Sequence, residues 1–197
     1  MIYISNIVHY KYSTDTLSEH ISKVYTDIYL LSGQSQLKKQ EKRELAAFKL
    51  HEISHRKCYS DQDLYTNKSY TQGLTALAIS NQNVGIDIEA INLDFDYQEL
   101  SASIFSKDEL EKLQHLTPLE FFRSWTRKEA ILKSCNSGII NELELIPSLD
   151  GSHNLPELDL FNDVGDLHVY SFEHDNNILS ICGSNKLENI RVVILEN

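Results

Sequence analysis

Val84-Gly85-Ile86-Asp87-Ile88-Glu89 is the stretch from which the rest of the chain can be read. In a strand, successive side chains point to opposite faces. Val84, Ile86 and Ile88 therefore make one apolar face, and Asp87 and Glu89 lie together on the other. Two carboxylates held side by side each raise the cost of ionising the neighbour, and a bound divalent cation reverses that penalty. A strand with a merely wet outer face would show the same D-x-E spacing without any cation. Residues 74–80 read as the preceding strand, joined through the turn-like Asn81-Gln82-Asn83. Downstream, Trp125, Glu129 and Lys133 recur every four residues in a helical segment, which puts an aromatic ring, a carboxylate and an ammonium in one line.

The 197 residues suit one large domain or two small, tightly coupled ones. Hydrophobic residues at 41% and charged residues at 24% are ordinary globular usage, so a packed core is feasible. A formal charge of −11 argues against general nucleic-acid binding, which draws most of its affinity from a basic surface. Cys58, Cys135 and Cys182 are too widely spaced for a disulfide framework or a CxxC metal pair, so inert thiols in a reducing compartment are expected. The N-terminal residues lack a secretory pattern, and no apolar run is long enough to span a bilayer. A soluble, cytoplasmic protein with no membrane partner is the expectation. HExxH, GxSxG, GxxxxGK[ST] and GxGxxG are all absent, and His51 and His55 have no third ligand.

Other strands are expected over residues 2–10, 167–172, 178–182 and 190–195. Helices are expected from Asp15 or Thr16 to about Leu31, over 36–57, 97–104 and 106–115, and from Pro118 to about Asn136. The 36–57 segment is basic, with seven Lys and Arg against three Glu, and its simplest account is a solvated helix face. Ser106 with Glu109 is a capping-box pattern, and Thr117 before Pro118 fits a capped helix start. Residues 60–72 read as loop, as does much of 141–177. The mixture is α+β, with strands largely adjacent in sequence.

Taken together, Gly85-Ile86-Asp87-Ile88-Glu89 and Trp125-Thr126-Arg127-Lys128-Glu129-Ala130-Ile131-Leu132-Lys133 resemble the paired signature of the 4′-phosphopantetheinyl transferase superfamily, G-[IV]-D-x-E followed by W-[ST]-x-K-E-[AS]-x-x-K. Between them Phe105-Ser106-Lys107-Asp108-Glu109 is similar to the family's F-[ST]-x-x-E element, and Gly138 falls where a glycine-containing turn is common. The resemblance spans roughly residues 67–145. It implies the larger, two-half type that activates surfactin synthetase, with two similar α+β halves related by a pseudo-two-fold. The halves would be residues 1–83, on the coenzyme's nucleotide side, and 84–197, with the metal and the catalytic helix. The chemistry implied is transfer of the phosphopantetheine arm of coenzyme A to a serine of an acyl or peptidyl carrier protein, releasing 3′,5′-ADP.

By the matched positions Asp87, Glu89 and Glu129 would hold Mg2+, with Mn2+ as the substitute ion, and Glu129 would act as base for the carrier serine. Lys133 would approach the phosphates with Lys128 assisting, and Trp125 would be a packing anchor. Coenzyme contacts are further expected from Ser69 and Tyr70, and from Lys42 and Arg56 in the basic segment. Two departures stand out. Tyr70 follows Ser69 where larger members carry histidine, and a tyrosine donates a hydrogen bond but no charge; Lys68 is the nearest substitute cation. The family's G-K-P element has no counterpart, so the first half looks shortened. The main alternative is therefore a non-enzymatic relative that binds a carrier or a synthase, and a metal-dependent nuclease is a third reading opposed by the acidic charge. A monomer is expected. Tyr97, Leu100, Ile104 and Phe105 could receive a carrier, but filling the core is the expected role.

Overall fold

The computed structural model describes residues 6–11, 26–31, 65–112, 116–135, 143–153, 166–184, 186–187 and 190–196. They form two β-sheets, three α-helices and a short 3-10 helix (Leu143–Leu145), an α+β architecture. The first sheet has five strands in the order β1 (Asn6–Lys11), β9 (Ile190–Glu196), β2 (Thr26–Leu31), β4 (Leu74–Ser80) and β3 (Tyr65–Thr71). Here β9 runs parallel to both β1 and β2, while β4 is antiparallel to β2 and β3. The second sheet is antiparallel, in the order β5 (Val84–Ala90), β8 (Asn177–Gly183), β7 (Leu167–His174) and β6 (Gly151–His153).

Alternation along the strands builds the core. Ile28, Leu30, Leu74, Ala76, Ala78, Ile190, Val192 and Ile194 from the first sheet meet Val84, Ile86, Ile88, Leu179 and Ile181 from the second. The second sheet's other face, through Leu167, Val169 and Cys182, packs on Ala130, Ile131 and Leu132 of α3 (Pro118–Ser134). The order is thus first sheet, apolar core, second sheet, helix. Asp87 lies on the helix side, as strand alternation requires.

Two expectations are corrected. Residues 26–31 are a strand, not the end of a helix. Thr26 to Leu30 are all buried, with Ile28 and Leu30 in the inter-sheet core and Asp27 and Tyr29 buried on the opposite face. A strand buried on both faces shows no polar alternation and passes for a helical run. Residues 65–71 are likewise a strand inside what reads as loop, because Asn67, Ser69 and Thr71 are polar where an apolar row would be expected.

Helix starts follow the sequence closely. Ser106 Oγ accepts from Glu109 N at 3.2 Å and Glu109 Oε2 from Ser106 N at 3.0 Å, which opens α2 (Lys107–Lys112). Thr117 and Glu120 form the same reciprocal box ahead of Pro118. The first of the three helices, α1, is Gln98–Ile104. Ile104 and Phe105 pack with Phe121, Phe122 and Ile178, with Phe95, Tyr97 and Trp125 against them. Leu100 departs from the expected core role and is 44% exposed. Cys182 is fully buried, and burial pushes its thiol up to about 12, in line with an inert cysteine.

Candidate active site

Gly85 sets the distance between α3 and β5. A Cβ on it would lie 2.0 Å from the Ala130 carbonyl oxygen and 2.3 Å from the Ser134 amide nitrogen. No side chain fits there, so the helix backbone rests directly on the strand. Ala130 and Ser134 are the residues immediately after Glu129 and Lys133, so this contact is what brings the helix's carboxylate and ammonium over the D-x-E carboxylates.

Lys133 Nζ donates to Asp87 Oδ1 at 2.6 Å and to Ser69 Oγ at 3.3 Å, and Ser69 Oγ donates to Asp87 Oδ1 at 2.7 Å. Asp87 is 3% exposed. Its second oxygen, Oδ2, and Glu129 Oε1 are buried without a hydrogen-bond partner. A buried polar atom left unpaired costs about 1–3 kcal/mol, so two such acceptors on residues that feel one another's charge mark a place suited to something cationic. Burial, followed by the charge of Asp87, raises Glu89 to about 7; Lys133 and a hydrogen bond from Thr71 oppose this, and Glu129 adds to it. Glu129 is also raised, first by burial and then by Asp87, against the pull of Lys133.

Asp87, Glu89, Glu129 and Lys133 are thus one electrostatic unit, and Ser69 joins it. Hard carboxylate oxygens in that number suit Mg2+ or Mn2+. Among the described residues no three carboxylate, histidine or cysteine side chains already stand together as a ready metal cage. Lys133 serves as the local counter-charge to Asp87.

Lys128 is not part of this unit, contrary to its expected place near the phosphates. It is fully buried, and its ammonium donates to Glu109 Oε2 at 2.9 Å, to Glu109 Oε1 at 3.2 Å, to the Leu143 carbonyl at 3.0 Å and to the Ile146 carbonyl. The Phe105 ring lies 5.5 Å from the same nitrogen. Phe105-Ser106-x-x-Glu109 is thus a socket for Lys128, with Glu109 Oε1 also accepting from Ser148 N at 2.9 Å. Arg127 is likewise buried, donating to Ser171 Oγ and Ser148 O at 2.7 Å and pairing with Asp150 at 2.6 Å. Tyr70 alternates with Ser69 and Thr71 on β3 and is half-buried. Lys42, Arg56, Cys58, Gly138 and the 36–57 segment lie outside the described residues. What sequence reading misses is Thr71: a loop residue has no expected face, whereas a strand residue two beyond Ser69 does.

The raised Glu89 makes a prediction. A carboxyl whose folded value (about 7) exceeds its ordinary 4.5 binds its proton more tightly in the folded protein, so its contribution to stability falls as pH rises between those values. With EDTA present, the wild-type melting temperature should drop more between pH 5 and pH 8 than that of Glu89→Gln. Parallel pH dependences in the two proteins would refute the assignment.

A family model described as the 4′-phosphopantetheinyl transferase superfamily matches residues 83–184, which hold β5, α3 and the Phe105–Glu109 socket. The chain is similar to 4′-phosphopantetheinyl transferase HetI of Nostoc sp. (strain PCC 7120), 33% identical over 94 residues, which are 44% of this chain and 40% of that protein. It is similar to 4′-phosphopantetheinyl transferase gsp of Aneurinibacillus migulanus, 33% identical over 87 residues, 42% of this chain and 36% of the relative. It also matches 4′-phosphopantetheinyl transferase AcpT of Salmonella typhimurium, 36% identical over 75 residues, 36% of this chain and 39% of the relative. The matched segments therefore span two fifths or less of each relative's own length.

Proposed function

The chain belongs to the 4′-phosphopantetheinyl transferase superfamily, and on that premise we propose that it moves the phosphopantetheine arm of coenzyme A onto a serine of an acyl or peptidyl carrier protein, leaving 3′,5′-ADP. The observation that supports this best is the unit of buried Asp87 with half-buried Glu89, Glu129 and Lys133, in which one oxygen of Asp87 and one of Glu129 are unpaired. Asp87, Glu89 and Glu129 would hold Mg2+, which when bound neutralises pyrophosphate charge and orients its oxygens. Lys133 already presents a cation at the mouth of this cluster, where it can turn from Asp87 to a phosphate. Glu129, held above the ordinary carboxylate range, is suited to take the proton of the carrier serine near neutral pH. Ser69 and Tyr70, with Lys42 and Arg56, are proposed to lie on the coenzyme's side, in an N-terminal half of residues 1–83 joined to a catalytic half of 84–197. A monomer working in the cytoplasm completes the reading.

Asp87→Ala and Glu129→Ala should each lower transfer by about 10²–10⁴-fold, the usual worth of a positioned acid or base, while leaving circular dichroism unchanged. The assay is intact mass of several apo carrier proteins after incubation with coenzyme A and Mg2+. A gain of one phosphopantetheine with the wild-type protein supports the reading; near-normal transfer by either variant, or no gain on any carrier beside a working control transferase, overturns it. In the second case, coenzyme A that still binds by calorimetry would favour the non-enzymatic carrier-binding alternative.

A further inference from the structure

Asn67-x-Ser69-x-Thr71 on β3 repeats the two-residue spacing of Asp87-x-Glu89 on β5. The two strands belong to different sheets, β3 pairing with β4 and β5 with β8, so no backbone ladder joins them. Side chains do the joining. Asn67 Oδ1 accepts from Ile86 N at 3.1 Å, and Thr71 Oγ1 accepts from Ala90 N at 3.0 Å. Between those two anchors Ser69 Oγ donates to Asp87 Oδ1 at 2.7 Å. The Thr71 hydroxyl also acts on Glu89, opposing the rise of that carboxyl.

A hydroxyl carries one proton. Thr71 receives the Ala90 amide hydrogen on its lone pair, which leaves its own proton to offer to the neighbouring Glu89 carboxylate. Ser69 receives from Lys133 Nζ and gives its proton to Asp87. Asp87 is thereby held by one hydroxyl of β3, and Thr71, two residues on, stands in matching register for Glu89. An ordinary ladder between the strands would fix the backbone of β5 and leave both carboxylates free to choose rotamers.

We infer that Thr71 and Ser69 are positioning residues that hold Glu89 and Asp87 in register for a shared divalent cation, which makes β3 a working part of the site. This rests on the reading of Asp87, Glu89 and Glu129 as the metal carboxylates. Groups that orient metal ligands are usually worth 10–100-fold in metal affinity. Thr71→Val keeps the shape and loses the hydroxyl, whereas Thr71→Ser keeps the hydroxyl.

The test is binding of Mn2+ to the full chain, followed by the paramagnetic resonance of free Mn2+. Thr71→Val should bind about tenfold more weakly than wild type, Thr71→Ser should recover most of the loss, and Ser69→Ala should weaken binding similarly. In a Glu89→Gln background Thr71→Val should add little, because the carboxylate it orients is gone. Wild-type affinity in Thr71→Val, or a Thr71→Ser protein as weak as Thr71→Val, overturns the inference while leaving the metal reading standing. A wild-type protein that binds no Mn2+ overturns both.

Discussion

Gly85→Ala should cost about 3 kcal/mol of stability, at the upper end for overpacking. The added carbon meets backbone on two sides, the Ala130 oxygen at 2.0 Å and the Ser134 nitrogen at 2.3 Å. A clash with the tip of a flexible side chain would relax by rotation. A clash with two points of a helix relaxes only if the helix lifts or slides. Lifting strips apolar contact from Ala130, Ile131 and Leu132, all fully or nearly fully buried, and it also opens the 2.6 Å pair between Lys133 and Asp87. Stability and transfer should therefore fall together, in urea unfolding and in the carrier mass assay. A Gly85→Ala protein with the wild-type urea midpoint would show that the close approach of α3 and β5 is not required.

Lys128→Met should lose about 3–5 kcal/mol, the cost of leaving one member of a buried ion pair without the other. Methionine fills much the same volume, so the loss is electrostatic rather than a cavity. It strands Glu109, whose side chain is only 13% exposed, together with the Leu143 and Ile146 carbonyls. Neutralising the stranded carboxylate should restore part of the loss. Lys128→Met with Glu109→Gln is therefore expected to be more stable than Lys128→Met alone, since the amide oxygen can still accept from Ser148 N. Urea unfolding at neutral pH measures both, and a single-variant loss below about 1 kcal/mol, the worth of an exposed pair, would show that the socket holds no buried charge.

The two predictions share a lesson about what could be read before the fold was known. The D-x-E strand and the Trp125 helix were legible because each carries a strong period, and the two elements do meet, through Lys133 and Asp87. The role of Gly85 lay beyond reach, since a glycine's absent Cβ matters only when a particular backbone comes to occupy the space. Lys128 looked like its neighbours because sequence gives the residue type but not the side of the helix that faces protein. Its socket, Phe105, Ser106 and Glu109, was visible as a motif without a stated partner. β3 was hidden for a chemical reason: its inward row of Asn67, Ser69 and Thr71 is polar because it binds another strand's carboxylates and amides, so it lacks the apolar alternation by which strands are found. β2 was hidden for a different reason: Asp27 and Tyr29 are buried like Ile28 and Leu30, so no exposed polar row marks an outer face.

The place of β9 has a consequence for how the protein is made. Among the described strands it is synthesised last, yet it lies between β1 and β2 instead of at an edge. In its register Arg191 stands opposite Asp27, and the guanidinium grips that fully buried carboxylate with two bonds of 2.8 and 2.7 Å across 164 residues of chain. While the ribosome is still translating the second sheet, the Arg191 guanidinium is not yet there to balance the Asp27 carboxylate, and the Tyr29 hydroxyl that donates to it brings no charge, so closing the sheet would bury Asp27 without that cation. The second sheet and its helix can assemble on the nascent chain, but the first sheet stays open until Arg191 emerges. Its completion is thus coupled to the end of translation of the described region, a long-range closure of the kind that folds slowly.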